Sequence, residues 1–156
     1  MNIPLFLADK TVLTPSDAVA ALLVLDDGRY ILQLRDAIPG IFYPDHWGCF
    51  GGAVGTGEDP EAALRRELQE ELELSISTAR FFARLDLDFS CLQFGRVYRI
   101  YYEIAVSRQS FQNVRLHEGA AVSALTAPEL FTRPNVTPYD AFAIWLHAKR
   151  AVANAG

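Results

Sequence analysis

Glu67, Glu70 and Glu71 stand in the run P-E-A-A-L-R-R-E-L-Q-E-E-L between Pro60 and Leu72. At roughly 100° per helical residue the three carboxylates fall within one arc about 100° wide, so the spacing points them at one small volume. Two like charges a few ångströms apart cost on the order of 1 to 4 kcal/mol near a surface. Such a group is therefore solvated, partly protonated, or gathered around a cation. The cation is the chemically productive option. Carboxylate and carbonyl oxygens suit Mg²⁺ or Mn²⁺, and no Cys/His set lies nearby to favour zinc. Just upstream, Gly51, Gly52, Gly55 and Gly57 form a glycine-rich loop that runs straight into the acidic segment.

The elements around this segment must hold it in place. Asp59 predicts a helix N-cap and Pro60 a first-turn residue. Leu64, Leu68 and Leu72 recur every fourth residue and give the helix a buried stripe beside the carboxylate arc. Upstream, Ala18 to Leu25 is an apolar run followed by Asp26-Asp27-Gly28 and an alternating segment to Arg35, which reads as a hairpin after a short leader ending near Pro15. Asp36 to Trp47 carries Pro39, Gly40 and Pro44 with Phe42, Tyr43 and Trp47, a loop with aromatic anchors at a pocket rim. Downstream, Arg80 to Phe89 predicts a strand with Phe81, Ala83, Leu85, Leu87 and Phe89 on one face. Further strands are expected at about Arg96 to Val106 and Ala121 to Leu125, a helical turn at Pro128 to Leu130, and a helix from about Pro138 to Val152. Strands interleaved with two main helices make an α/β chain.

The spacing G-x5-E-x7-R-E-L-x-E-E-x-E-L, set by Gly52, Glu58, Arg66, Glu67, Leu68, Glu70, Glu71 and Leu74, resembles the box of the Nudix hydrolase family (MutT-like). Glu73 stands where that signature has glycine. The resemblance implies an α/β/α sandwich with a mixed central β-sheet and a loop-helix-loop box. It also implies hydrolysis of a nucleoside diphosphate linked to another group. Glu67, Glu70 and Glu71 would then hold Mg²⁺ or Mn²⁺, with the carbonyl of Gly51 or Gly52 as an added ligand. Arg66 would pair with a box glutamate to fix its rotamer, and Glu58 would order the loop or pair with Arg66. The general base stays open among Glu67, Glu70 and the downstream Glu118 in L-H-E-G. Glu73 is expected to cost a little stability or to lengthen the helix by a residue or two, without loss of activity.

For the substrate, Tyr43 and Trp47 are candidates to stack on a base, and Arg35 to reach a phosphate or ribose. Extra markers of the family's specialised subgroups are missing, which leaves a nucleoside triphosphate or a nucleotide sugar. Two alternatives are a Nudix-fold module that binds a nucleotide metabolite without cleaving it, and an isopentenyl-diphosphate-isomerase-like enzyme.

A chain of 156 residues fits a single domain over 1–156. A net charge of −5 without a basic run argues against duplex nucleic acid as a partner. Two cysteines, no signal-like start and no apolar run long enough for a bilayer give the expectation of a cytoplasmic protein, and the family resemblance implies a small nucleotide as its partner. The aromatics before the acidic helix would also suit a homodimer interface.

Overall fold

The computed structural model describes residues 13–153, except the side chains of 151 and 152, so most of the expected leader lies outside the described residues. Strand β1 (Ala18–Leu25) contains no polar side chain. Val19, Ala21, Leu23 and Leu25 enter one hydrophobic cluster, Ala20 and Leu22 another. Period-two alternation with both faces apolar is what a strand between two layers requires. β5 (Arg96–Val106) pairs parallel to β1 from Ala18↔Arg99 to Leu25↔Val106. It divides in the same way, with Ile100, Tyr102, Ile104 and Val106 on the first side and Tyr101 on the second.

Helix α1 (Pro60–Leu72) covers the first face with Ala63, Leu64, Leu68 and Leu72, each fully buried. Burying one such leucine is worth about 1.5–3 kcal/mol, so the stripe fixes the roll of the helix. α3 (Ala127–Phe131) and α4 (Pro138–Ala153) cover the second face with Leu130, Ala143 and Ile144. The chain is thus an α/β/α sandwich around a mixed six-stranded sheet.

β2 (Tyr30–Leu34) pairs antiparallel with β1 at only two positions, Leu23↔Ile31 and Val24↔Tyr30, and then leaves it. The gap is filled by residues 47–53. There β3 (Trp47–Gly48) pairs with Leu34 and Gln33 of β2, and Phe50 and Ala53 bridge back to Ala21 and Ala18 of β1. The other edge of β2 carries β6 (Ala121–Leu125). This fork seats the glycine-rich loop directly on β1, with Val19 N donating to Gly52 O and Ala21 N to Phe50 O, both at 2.9 Å.

Three expectations need correction. Trp47 is a buried strand residue rather than part of the aromatic loop, because its backbone is held by both Asn135 and Thr137 besides β2. In β4 (Arg80–Asp88), antiparallel to β5, a register shift between Phe81 and Ala83 breaks the alternation. Phe82 therefore packs with Leu85 against the second cluster, and Phe81 is 57% exposed. A short helix α2 (Arg108–Gln112), capped by Ser107, was not expected. No described helix is long and apolar enough to cross a membrane.

Candidate active site

The loop before α1 is shaped by close approach. Gly51 has φ +133°, and a Cβ there would lie 2.2 Å from Val19 O, so only glycine fits against β1. At Gly52 a Cβ would lie 2.5 Å from the carboxyl carbon of Glu67, so that carboxylate rests on the bare Cα. Asp59 caps α1 by accepting from Ala62 N at 3.0 Å, as its position predicted.

Arg66 binds the pieces together. Its Nε and Nη2 donate to the two oxygens of Glu58 at 3.0 and 3.1 Å, and its Nη1 donates to Glu67 Oε1 at 2.6 Å. Nη2 also donates to Ala53 O at 3.1 Å. Glu58 accepts in addition from Gly55 N at 2.8 Å, so both roles considered for Glu58 are present together. The paired guanidinium, first of all, and the Gly55 amide hold the Glu58 carboxyl below the usual range.

The box carboxylates do not behave alike. Glu71 is 4% exposed; its Oε2 accepts from Gly51 N at 2.9 Å and its Oε1 from Gln33 Nε2 at 3.4 Å. Burial pushes its pKa up to about 7, with Glu67 and Glu118 adding to the rise. Burial likewise raises Glu67, against the pull of Arg66. Glu70 has a side chain 61% exposed and touches Arg66 Nη1 at 3.5 Å. The expected convergence of all three is therefore incomplete, and among the described residues no group of three acidic, His or Cys side chains is gathered as a metal cluster. The reason lies in the helix. Glu71 sits about 20° from Leu64 in projection and Glu70 about 120° from it, so the buried stripe draws in the first and leaves the second at the surface.

Glu67 and Glu71 open onto a cavity of about 590 Å³ whose lining includes Gly51, Gly52, Gln33, Glu118, Arg35 and Tyr43. Glu118 reaches it from a loop tied to three places: His117 N donates to Glu71 O at 2.9 Å, Gly119 N to Asp36 Oδ2 at 3.2 Å, and Ala120 N to Leu34 O at 2.8 Å. Arg35 is at the wall, its Nε donating to Phe42 O at 2.7 Å. Tyr43 packs edge-on to Tyr139 with centroids 5.6 Å apart. Glu70, Glu58, Arg66 and Trp47 do not line the cavity. For Trp47 this corrects the expected stacking role, since the residue is 9% exposed and its ring lies under Arg133.

Sequence reasoning missed Gln33, Arg99 and Tyr139, which also line the cavity. Two of these carried a signal. Gln33 interrupts Y-I-L-Q-L and Arg99 interrupts V-Y-R-I-Y-Y, polar groups in strands otherwise filled with apolar residues.

A family model for the NUDIX domain matches residues 14–144. Over 50 residues the chain is 46% identical to the nucleoside triphosphatase NudI of Escherichia coli (strain SE11), which is 32% of this chain and 35% of that protein. An oxidized purine nucleoside triphosphate hydrolase of Danio rerio is 35% identical over 74 residues, 47% of this chain and 46% of that one. The chain thus spans less than half the length of these relatives in the matched segments. The crystal structure of the MutT protein from Methanosarcina mazei superposes with a TM-score of 0.72 at 17% identity, covering 90% of this chain and 98% of that one, a likeness of fold.

Proposed function

The chain belongs to the NUDIX domain family, and from that premise we propose that it is a divalent-metal-dependent pyrophosphohydrolase. Its substrate is a nucleoside diphosphate linked to another group, foremost a nucleoside triphosphate, cleaved by attack of water on phosphorus. The observation that carries this reading is the pair Glu67 and Glu71, two desolvated carboxylates that open onto one cavity over a bed of glycine. The names of the relatives, a nucleoside triphosphatase and an oxidized purine nucleoside triphosphate hydrolase, favour the triphosphate.

Nudix hydrolases generally use divalent metal ions, and the donor set here fits Mg²⁺ or Mn²⁺: hard oxygens whose burial leaves negative charge in want of a partner. Glu67 Oε2 has no hydrogen-bond partner among the described residues, since Arg66 takes only Oε1. Glu67 and Glu71 would hold the ion, with the Gly51 carbonyl and with Glu70 from the outer edge of the helix. The Gly52 carbonyl is less suited, being engaged by Val19 N. When bound, the ion supplies neutralisation of the diphosphate and a more acidic water.

The chain's own residues do the remaining work. Arg66 positions Glu67, while Glu58 holds both Arg66 and the loop. Glu118, which faces the same cavity and adds to the raised pKa values of Glu67 and Glu71, would take a proton from water; its place on the cavity wall supports this reading. Arg35 offers a donor to a phosphate or ribose oxygen, and Tyr43 a ring face to a base. Phosphoryl transfer asks chiefly for such positioning and charge neutralisation, with no nucleophilic side chain.

The test is release of the nucleoside monophosphate from a panel of nucleoside triphosphates, nucleotide sugars and ADP-ribose, with Mg²⁺, Mn²⁺ or a chelator. Release should require the metal and fall at least about 100-fold in Glu67→Gln and Glu71→Gln. Undiminished release in both variants would overturn the metal assignment, and nucleotide binding without release from any compound would favour a binding module.

A further inference from the structure

Arg99 approaches the cavity from the opposite side of the sheet to the carboxylates of α1. It shares a face with Tyr101, on the α4 side, and its side chain is 14% exposed. A nearly buried cation needs a fixed counter-charge, which Asp140 supplies. Arg99 Nε donates to Tyr101 Oη at 3.1 Å and to Asp140 Oδ1 at 3.3 Å, and Nη2 to the same Oδ1 at 3.2 Å. Asp140 is held in turn by Tyr101 Oη, Cys49 N and Thr137 Oγ1 at 2.8, 2.9 and 2.6 Å. The Nε/Nη2 edge of the guanidinium is thereby pinned.

The other edge is not. Nη1 has no hydrogen-bond partner among the described residues. No buried side-chain nitrogen or oxygen among them lacks a partner, so Nη1 is not sealed inside protein; Arg99 lines the cavity, and Nη1 opens onto it. Because the guanidinium is a rigid plane, the outer hydrogens of Nη1 and Nη2 form a second fork in the cavity wall. Aromatic rings flank it: Tyr139 lies 4.6 Å from Arg99 Cζ, and Tyr43 packs on Tyr139. A fork of paired donors beside ring faces fits a flat ligand edge with two adjacent acceptors and no donor between them.

We propose that Arg99 selects the nucleobase, favouring bases that present two adjacent acceptors. These are guanine, through O6 and N7, or cytosine, through O2 and N3. Adenine sets its N6 amino donor beside N7, and uracil places N3–H between its carbonyls, so each turns a donor toward a donor. The inference rests on the nucleotide-hydrolase reading of the same cavity. A good bidentate contact of this kind discriminates by about 10- to 100-fold.

The experiment is kcat/KM of the intact protein with Mg²⁺ on GTP, CTP, ATP, UTP and 7-deaza-GTP. GTP or CTP should exceed both ATP and UTP by about 10- to 100-fold. If GTP leads, 7-deaza-GTP, which lacks the N7 acceptor, should fall toward ATP; if CTP leads, the O2/N3 edge is the one read. Arg99→Lys keeps the charge but offers no planar fork, and should flatten the ranking mainly through KM. Equal kcat/KM for the four natural triphosphates, or a lead by ATP or UTP, overturns the proposal. So does an Arg99→Lys loss that is equal for all bases, which would put the fork on a phosphate. The comparison of nucleotides needs no folded variant. Hydrolysis of none of them would sink the functional reading instead, and the base ranking is then read by calorimetric binding of the same nucleotides, where equal affinities overturn it.

Discussion

His117 Nε2 lies 2.7 Å from Glu73 Oε1, joining the end of α1 to the loop that carries Glu118. Glu73 is the helix C-cap, in a left-handed conformation at φ 53° and ψ 30°. Of the two outcomes expected for a glutamate at this glycine position, the helix is not lengthened. The backbone takes the conformation natural to glycine, and the side chain gains a partner. Two backbone bonds reinforce the link, Arg115 N to Leu72 O at 3.1 Å and His117 N to Glu71 O at 2.9 Å.

Glu73→Gly and Glu73→Ala separate these effects. Both lose the exposed pair, worth about 0 to 1 kcal/mol, but only glycine removes the left-handed penalty of about 1 kcal/mol. Urea denaturation should find the Gly variant more stable than the Ala variant by about 1 kcal/mol. Turnover of the Gly variant should stay within a few-fold of the parent, because Glu73 does not line the cavity. Equal stability of the two variants would dismiss the backbone argument.

The two loop glycines should fail in different ways. At Gly51 the clash is with backbone and φ is +133°, so Gly51→Ala should destabilise the fold by on the order of 2 to 4 kcal/mol. At Gly52 the clash is with the end of a flexible side chain, so Gly52→Ala should cost under about 1 kcal/mol while displacing the Glu67 carboxylate. Thermal melts should barely move for Gly52→Ala, and the metal concentration for half-maximal rate should rise. A stable, fully active Gly51→Ala would refute the packing.

Arg66→Lys retains the charge but not the fork that spans Glu58 and Glu67. Loss of a group that orients a metal ligand typically costs 10- to 100-fold in affinity or activity, and about that loss is expected here. It should appear in the Mg²⁺ titration, with circular dichroism unchanged. A variant of parental metal affinity would assign Arg66 to the surface only.

Glu71 predicts a pH dependence of stability in metal-free protein. Its folded pKa of about 7 lies above an ordinary glutamate's, so between about pH 4.5 and 7 the folded state holds more proton than the unfolded chain. The stability it contributes is full below that window and is lost as pH rises through it, by up to a few kcal/mol at about 1.4 kcal/mol per unit. With chelator present, Glu71→Gln should lack this decline, and the gap between variant and parent should widen from pH 4.5 to 7. A gap that does not change with pH would contradict the buried state of Glu71.

Much of this protein was readable before any coordinates. The strands Ala18–Leu25, Arg96–Val106 and Ala121–Leu125, the Asp59 cap, the leucine stripe and the box spacing all follow from period, capping and sterics within a few residues. Those are local forces, and local sequence encodes them. What the fold alone decided are meetings between distant segments. Cys49 is tied to Asp140 across 91 positions and Gly119 to Asp36 across 83. Arg99 was brought to the cavity, Trp47 was drawn into the core, and Glu71 was separated from Glu70 by which edge of the helix faces the sheet. A spacing places three carboxylates on one arc, but only packing determines where along that arc water ends and the protein interior begins.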